Sequence, residues 1–121
     1  MRWVIKQTDL DSVKEKHGNA QSIVGYADEH KLLTIPIPKM YAVLVDDNEL
    51  KLIQLDMNME VKNVDTIPIS SIDAIKISGA VVKKVVVTTN GTKIKLAVKT
   101  LAVGIQNAQK ELLEKLGSLA K

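Results

Sequence analysis

With 121 residues, 45% of them hydrophobic, the chain has room for one domain, residues 1–121, built around one core. It contains no cysteine, which excludes disulfides, thiolate catalysis and cysteine-based zinc sites, and suits a reducing, cytoplasmic setting. The net charge of +3 is unevenly laid out: eight Lys or Arg stand against twelve Asp or Glu up to Ala74, and nine Lys against two Glu from Ile75 onward. Either the two halves interleave and the field averages out, or the basic half is left to attract an anionic partner or a second copy.

The first expected element is a short helix at 8–16, with Thr8 or Asp9 as N-cap, Leu10 and Val13 on one face and Gly18 as its stop. Residues 1–21 then form an N-terminal extension to a barrel expected over 22–99. Strands are expected at 22–27 and 31–37, parted by Asp28, Glu29 and His30, with Pro36 and Pro38 confining the second to an edge. Residues 40–45 and 50–55 make a hairpin with the polar tip Asp46-Asp47-Asn48. In its second strand Leu50 and Leu52 share one parity and Ile53 and Leu55 the other, a switch that suggests a bulge. Residues 56–65, where Met57, Met59, Val61 and Val64 are scattered among polar residues, read as a loop with a ragged strand end. Short strands at 66–69 and 72–78 flank a break at Ser70-Ser71, and Gly79 turns the chain.

Asn90-Gly91 between alternating apolar residues marks a type I′ hairpin, because both central positions of that turn need positive φ. With Thr89 and Thr92 flanking the turn, Val87 faces Ile94, Val85 faces Leu96 and Val86 faces Lys95. One face then holds Val85, Val87, Ile94 and Leu96. The other holds Lys84, Thr88, Lys93, Lys95 and Lys99 around Val86 and Ala97, with Lys76 on the neighbouring strand. From Thr100 the period changes, and Leu101, Ile105, Ala108, Leu112, Leu116 and Leu119 form the stripe of an amphipathic helix, expected over 101–120, that lids the barrel. Glu111 and Lys115 make an i,i+4 pair on it. Six or seven short strands and a closing helix give a mainly β, α+β architecture: an antiparallel sheet curled into a partly open barrel.

Little in the sequence carries chemistry. His17 and His30 lack metal-ligand spacing, and Asp46, Asp47 and Glu49 lack the spaced ligands and glycine of a calcium loop. Ser70-Ser71 lacks the surroundings of an activated serine, and its expected work is to break the strand and bond to nearby backbone. Asn90-Gly91-Thr92 spells a glycosylation acceptor but reads most simply as the turn. Trp3, Tyr26 and Tyr41 are the only aromatic residues, too few for a base-stacking platform, and arginine occurs once, which disfavours nucleic acid. The apolar run after Arg2 is too short for a secretory signal, and no run approaches the roughly 20 apolar residues that span a bilayer.

The stretch Tyr41-Ala42-Val43-Leu44-Val45-Asp46-Asp47-Asn48-Glu49-Leu50 resembles the strand, Thr-Asp-x-Arg-Leu turn, strand pattern of the bacterial pleckstrin-homology-like (PH-like) family, with Val45 at the threonine and Glu49 at the arginine. Residues 67–75, Ile-Pro-Ile-Ser-Ser-Ile-Asp-Ala-Ile, are similar to that family's Ile-Pro-Leu, then Ile, signature, so the resemblance runs from about Met40 to the end of the chain. It implies a seven-stranded, partly open barrel capped by the last helix, without enzymatic activity and often self-assembling. It also implies that lipid-binding members carry basic residues after the first strand, where this chain has Asp28, Glu29, His30 and Lys31.

The expectation is therefore a non-enzymatic protein-interaction or self-assembly module without a cofactor or metal. Its candidate binding residues are Lys76, Lys84, Lys93, Lys95 and Lys99, and its partner is a protein or a second copy. The alternative is a peripheral membrane module in which those lysines meet anionic lipid headgroups.

Overall fold

The computed structural model describes residues 5–30 and 39–119. In chain order these form α1 (Gln7–His17), β1 (Ile23–Glu29), β2 (Met40–Val45), β3 (Glu49–Leu55), β4 (Val61–Pro68), a single 3-10 turn (Ile69–Ser71), β5 (Ile72–Ser78), β6 (Val82–Thr89), β7 (Thr92–Lys99) and α2 (Gln106–Leu119). The seven strands make one antiparallel sheet in the order β4-β3-β2-β1-β7-β6-β5, so β4 and β5 are its edges. The strand expected at 31–37, and with it Pro36 and Pro38, lies outside the described residues.

The β6–β7 hairpin has the register its turn dictates: Val87 opposite Ile94, Val85 opposite Leu96 and Val86 opposite Lys95. Asn90 and Gly91 have φ of 51° and 79°, the left-handed pair a type I′ turn requires. The β2–β3 hairpin is closed by Asp46, whose carboxylate accepts the Asn48 and Glu49 N–H groups at 2.8 Å each. Ser71 breaks the chain as expected, its hydroxyl donating to the Pro68 carbonyl at 2.8 Å.

Four expectations are corrected. Helix α1 starts before Thr8: Lys6 is the N-cap residue, and its N–H donates to Asp9 at 2.8 Å, three residues on. Residues 61–65 belong to β4 and are not loop; all five are exposed, so no alternation betrays the strand. The parity switch in β3 is no bulge, since β2 and β3 pair without interruption from Met40–Leu55 to Val45–Leu50. The irregularity lies at the start of β4, where Gln54 faces Asn63 and Leu55 faces Val61. Finally, α2 begins at Gln106; Gly104 has φ of 83°, and Leu101 stands 63% exposed in the lead-in turn instead of on the stripe.

What β3 does have is burial on both faces. Leu50 and Leu52 point into the barrel with Val43, Val45, Ile75, Val85 and Leu96. Ile53 and Leu55 point outward with Val24, Ala42 and Leu44, and are covered by Ile5, Leu10 and Val13. Helix α1 is therefore a second layer over β1–β3, which is why that half of the sheet reads as nearly continuous apolar sequence.

Helix α2 closes the barrel through Leu112 and Leu116. It also holds the seam between β1 and β7, which among the described residues pair at two positions, Asp28–Ala97 and Glu29–Leu96. Beyond them the buried Gln109 amide takes the place of a strand: its Oε1 accepts the Tyr26 N–H at 2.7 Å, and its Nε2 donates to the Tyr26 carbonyl at 2.8 Å and to the Lys99 carbonyl at 3.1 Å. Gly25 admits the helix there, because a Cβ at that position would lie 2.8 Å from Leu112 Cβ. Lys115 anchors the far end on Asp47 instead of pairing along the helix with Glu111.

Candidate docking face

The five lysines singled out from sequence share the outer face of β5–β7. Alternation puts Val85, Val87, Ile94, Leu96 and Val98 inward, so Lys84 on β6 and Lys93, Lys95 and Lys99 on β7 must point out. Lys76 joins them because it pairs with Val86, itself opposite Lys95. Within β5–β7 the paired positions of this face hold, besides the lysines, Ala74, Ser78, Val82, Val86, Thr88 and Ala97; the acids that adjoin it are Asp28 on β1, which pairs with Ala97, and the exposed Asp73 at the irregularity of β5. Lys83 has the other parity and is used locally, donating to the Gly79 carbonyl at 2.7 Å. Five of the nine lysines from Ile75 onward thus share one surface, and four of those five are well exposed.

Two features adjoin this face that the sequence reading did not find. At its end by Lys99, Val81, Val82, Leu101 and Val103 stand exposed, Val103 by 80%. The two segments that carry them are tied together, since the Thr100 N–H and hydroxyl both donate to the Val81 carbonyl, at 3.0 and 2.7 Å.

The second feature is a cavity of about 350 Å³ between β1, β7 and the lead-in to α2, lined among others by Tyr26, Asp28, Met40, Met59, Lys99 and Ile105. The Tyr26 hydroxyl donates to Asp28 at 2.8 Å, and Lys99 stands 3.7 Å from the other Asp28 oxygen. Burial first, then the Asp28 charge and the hydrogen bond to it, push the Tyr26 phenol far above its ordinary range, so it remains a donor.

The first-strand loop also differs from expectation. Asp28 and Glu29 lie inside β1, and His30 donates its N–H to the Lys95 carbonyl at 3.0 Å, so these residues extend the sheet and do not form a loop. A larger cleft of about 590 Å³ between α1 and the start of α2 sets Asp11 and Glu111 beside Lys14 and favours neither sign of ligand. No cluster of metal-ligating side chains forms among the described residues, and no helix among them is long and apolar enough to cross a membrane.

No family model matches the sequence, and no curated protein matches it. Among solved structures the chain is similar to the solution structure of the N-terminal PH domain of human ARAP2, with a TM-score of 0.52 and 16% identity, over 84% of this chain and 82% of that one. At that identity the likeness is one of fold: seven antiparallel strands in one open sheet with a C-terminal helix, a PH-like architecture.

Proposed function

We propose that the chain is a non-catalytic protein-interaction module that docks an acidic protein surface, on a separate partner or on a second copy, through Lys76, Lys84, Lys93, Lys95 and Lys99. The observation that carries this reading is that the five lysines share one sheet face whose paired positions within β5–β7 hold no carboxylate, the adjoining Asp28 on β1 standing beside Lys99. Such a face concentrates positive potential, since Asp28 stands beside Lys99 at one end of it and Lys76, Lys84, Lys93 and Lys95 lie on the strands beyond, and that speeds and orients encounter with an acidic surface. A fold shared with a PH domain supports an interaction role.

A second reading, a peripheral membrane module, is favoured by the exposed Val81, Val82, Leu101 and Val103 beside Lys99. An anionic leaflet adds about 1 kcal/mol per nearby lysine, and aliphatic residues beside them can enter the interface. Protein docking is the stronger reading because these residues lie at one end of the face, whereas Val86, Thr88 and Ala97 at its centre offer a bilayer little to insert.

The test measures binding of an oligoglutamate peptide and sedimentation with phosphatidylserine vesicles, with light scattering of the protein alone across ionic strength. The expected result is peptide binding, or salt-sensitive self-association, that Lys93→Glu with Lys95→Glu removes. A monomer that ignores the peptide yet pellets with the vesicles, and stops doing so in the double variant, would replace this reading with the membrane one.

A further inference from the structure

We propose that the docking face contains an anchor socket: the cavity beside Lys99 receives one apolar side chain of an acidic partner segment lying across β6 and β7. This rests on the lysine face being the docking surface, and it adds what the partner must carry besides charge.

The geometry joins socket and lysines. Met40, Asp28, Ala97 and Lys84 stand in one cross-strand row, each opposite the next, running from β2 over β1 and β7 to β6. Met40, Asp28 and Ala97 line the cavity. Neighbouring strands lie about 5 Å apart, which puts Lys84 on the order of 10 Å from Asp28, within the reach of one short extended segment.

The socket's wall is both apolar and fixed. Its apolar lining includes Ile5, Met40, Met59 and Ile105. Met59 has φ of 63°, a left-handed conformation that a residue with a long side chain rarely adopts. Its turn is held on all sides: the Asp56 carboxylate accepts the Asn58 and Glu60 N–H groups at 2.8 and 3.0 Å, and the Met59 N–H donates to the Asp56 carbonyl at 3.0 Å. A tied turn that sets a flexible thioether on a cavity wall combines a rigid frame with a lining that adapts to the guest.

The rim fits an acidic segment as well. The one acid among its described lining residues, Asp28, already accepts the Tyr26 hydroxyl and faces Lys99, so it does not stand as an unpaired negative charge against the partner. The volume of about 350 Å³ lies near the lower end of ligand-site sizes, room for one side chain and not for a helix. Buried anchors of this kind carry much of the energy of small interfaces, while the surrounding charges set the choice of partner.

The test uses the full chain, methyl-labelled at methionine, and two oligoglutamate peptides that differ only at the central residue, Leu in one and Gly in the other. The Leu peptide is expected to bind about tenfold more tightly, and the Met40 and Met59 methyl signals to move while that of exposed Met57 stays. Ala97→Leu, which fills the socket from β7, should abolish the preference for the Leu peptide over the Gly peptide; a preference that survives it would place the Leu side chain elsewhere and overturn the socket. Equal affinities with Met40 and Met59 unmoved would overturn the socket and leave the docking face standing. Failure of both peptides to bind, or binding by phosphatidylserine vesicles alone, would overturn the socket together with the protein-docking reading beneath it.

Discussion

Replacing Gln109 by Leu keeps the volume of the side chain and removes all three of its hydrogen bonds, which isolates the polar contribution of α2 to the fold. Gln109 is 1% exposed, and its amide satisfies the Tyr26 N–H, the Tyr26 carbonyl and the Lys99 carbonyl where β1 and β7 have ceased to pair. Each buried backbone group left without a partner costs about 1–3 kcal/mol, so losses at the two Tyr26 groups alone reach about 2–6 kcal/mol, partly offset by the apolar contacts of the new leucine. A net destabilisation of about 3 kcal/mol is expected, a large fraction of the 5–15 kcal/mol typical of a whole domain. Urea denaturation followed by far-ultraviolet circular dichroism measures it, with exposed Lys110→Ala as the control expected to stay within about 0.5 kcal/mol. A Gln109→Leu protein as stable as the parent would show that the seam does not depend on this amide.

The other expectations concern packing and pH. Gly25→Ala should cost about 1–3 kcal/mol, because its Cβ would stand 2.8 Å from Leu112 Cβ and lift the helix; unchanged unfolding would refute the close approach. Leu10→Ala should cost about 2–5 kcal/mol, since Leu10 is fully buried between α1 and the outer face of β1–β3, and a loss under 1 kcal/mol in the same assay would mean that the layer is not a core. Burial alone would raise the Asp46 carboxyl, but the Asn48 and Glu49 N–H groups, then Asn19 and Lys51, outweigh it and hold it below its ordinary value. A pKa lowered by folding stabilises above the unfolded value and loses that contribution as pH falls through the folded one, so Asp46→Asn should flatten the pH dependence of stability below about pH 4. An identical acid limb in the variant would refute it.

The sequence was most informative where one local signal dictates geometry. Asn90-Gly91 admits one turn type, that turn admits one register, and the register alone places Lys84, Lys93, Lys95 and Lys99 on a common face. It was least informative where partners are distant. Residues 61–65 form a strand because β3 offers its edge, and no apolar alternation marks them. Ile53 and Leu55 look out of phase until α1, some 40 residues earlier, is seen to cover them. Gln109 reads as one more polar helix residue, and only the short β1–β7 pairing reveals its role; the nearest local hint is Gly25, a residue without a side chain in a strand, where another element comes close. The socket beside Lys99 depends on Met40, Met59 and Ile105, three residues that no spacing connects.

The lysine face is tested most directly by following backbone amide signals in nuclear magnetic resonance while an oligoglutamate peptide is titrated into the full chain. The shifts are expected to cluster at Lys76, Lys84, Lys93, Lys95 and Lys99 and their neighbours on β5–β7, and to shrink as salt screens the charges. Shifts gathered instead on α1 or the β2–β3 turn, or shifts on β5–β7 that persist unchanged in Lys93→Glu with Lys95→Glu, would contradict it.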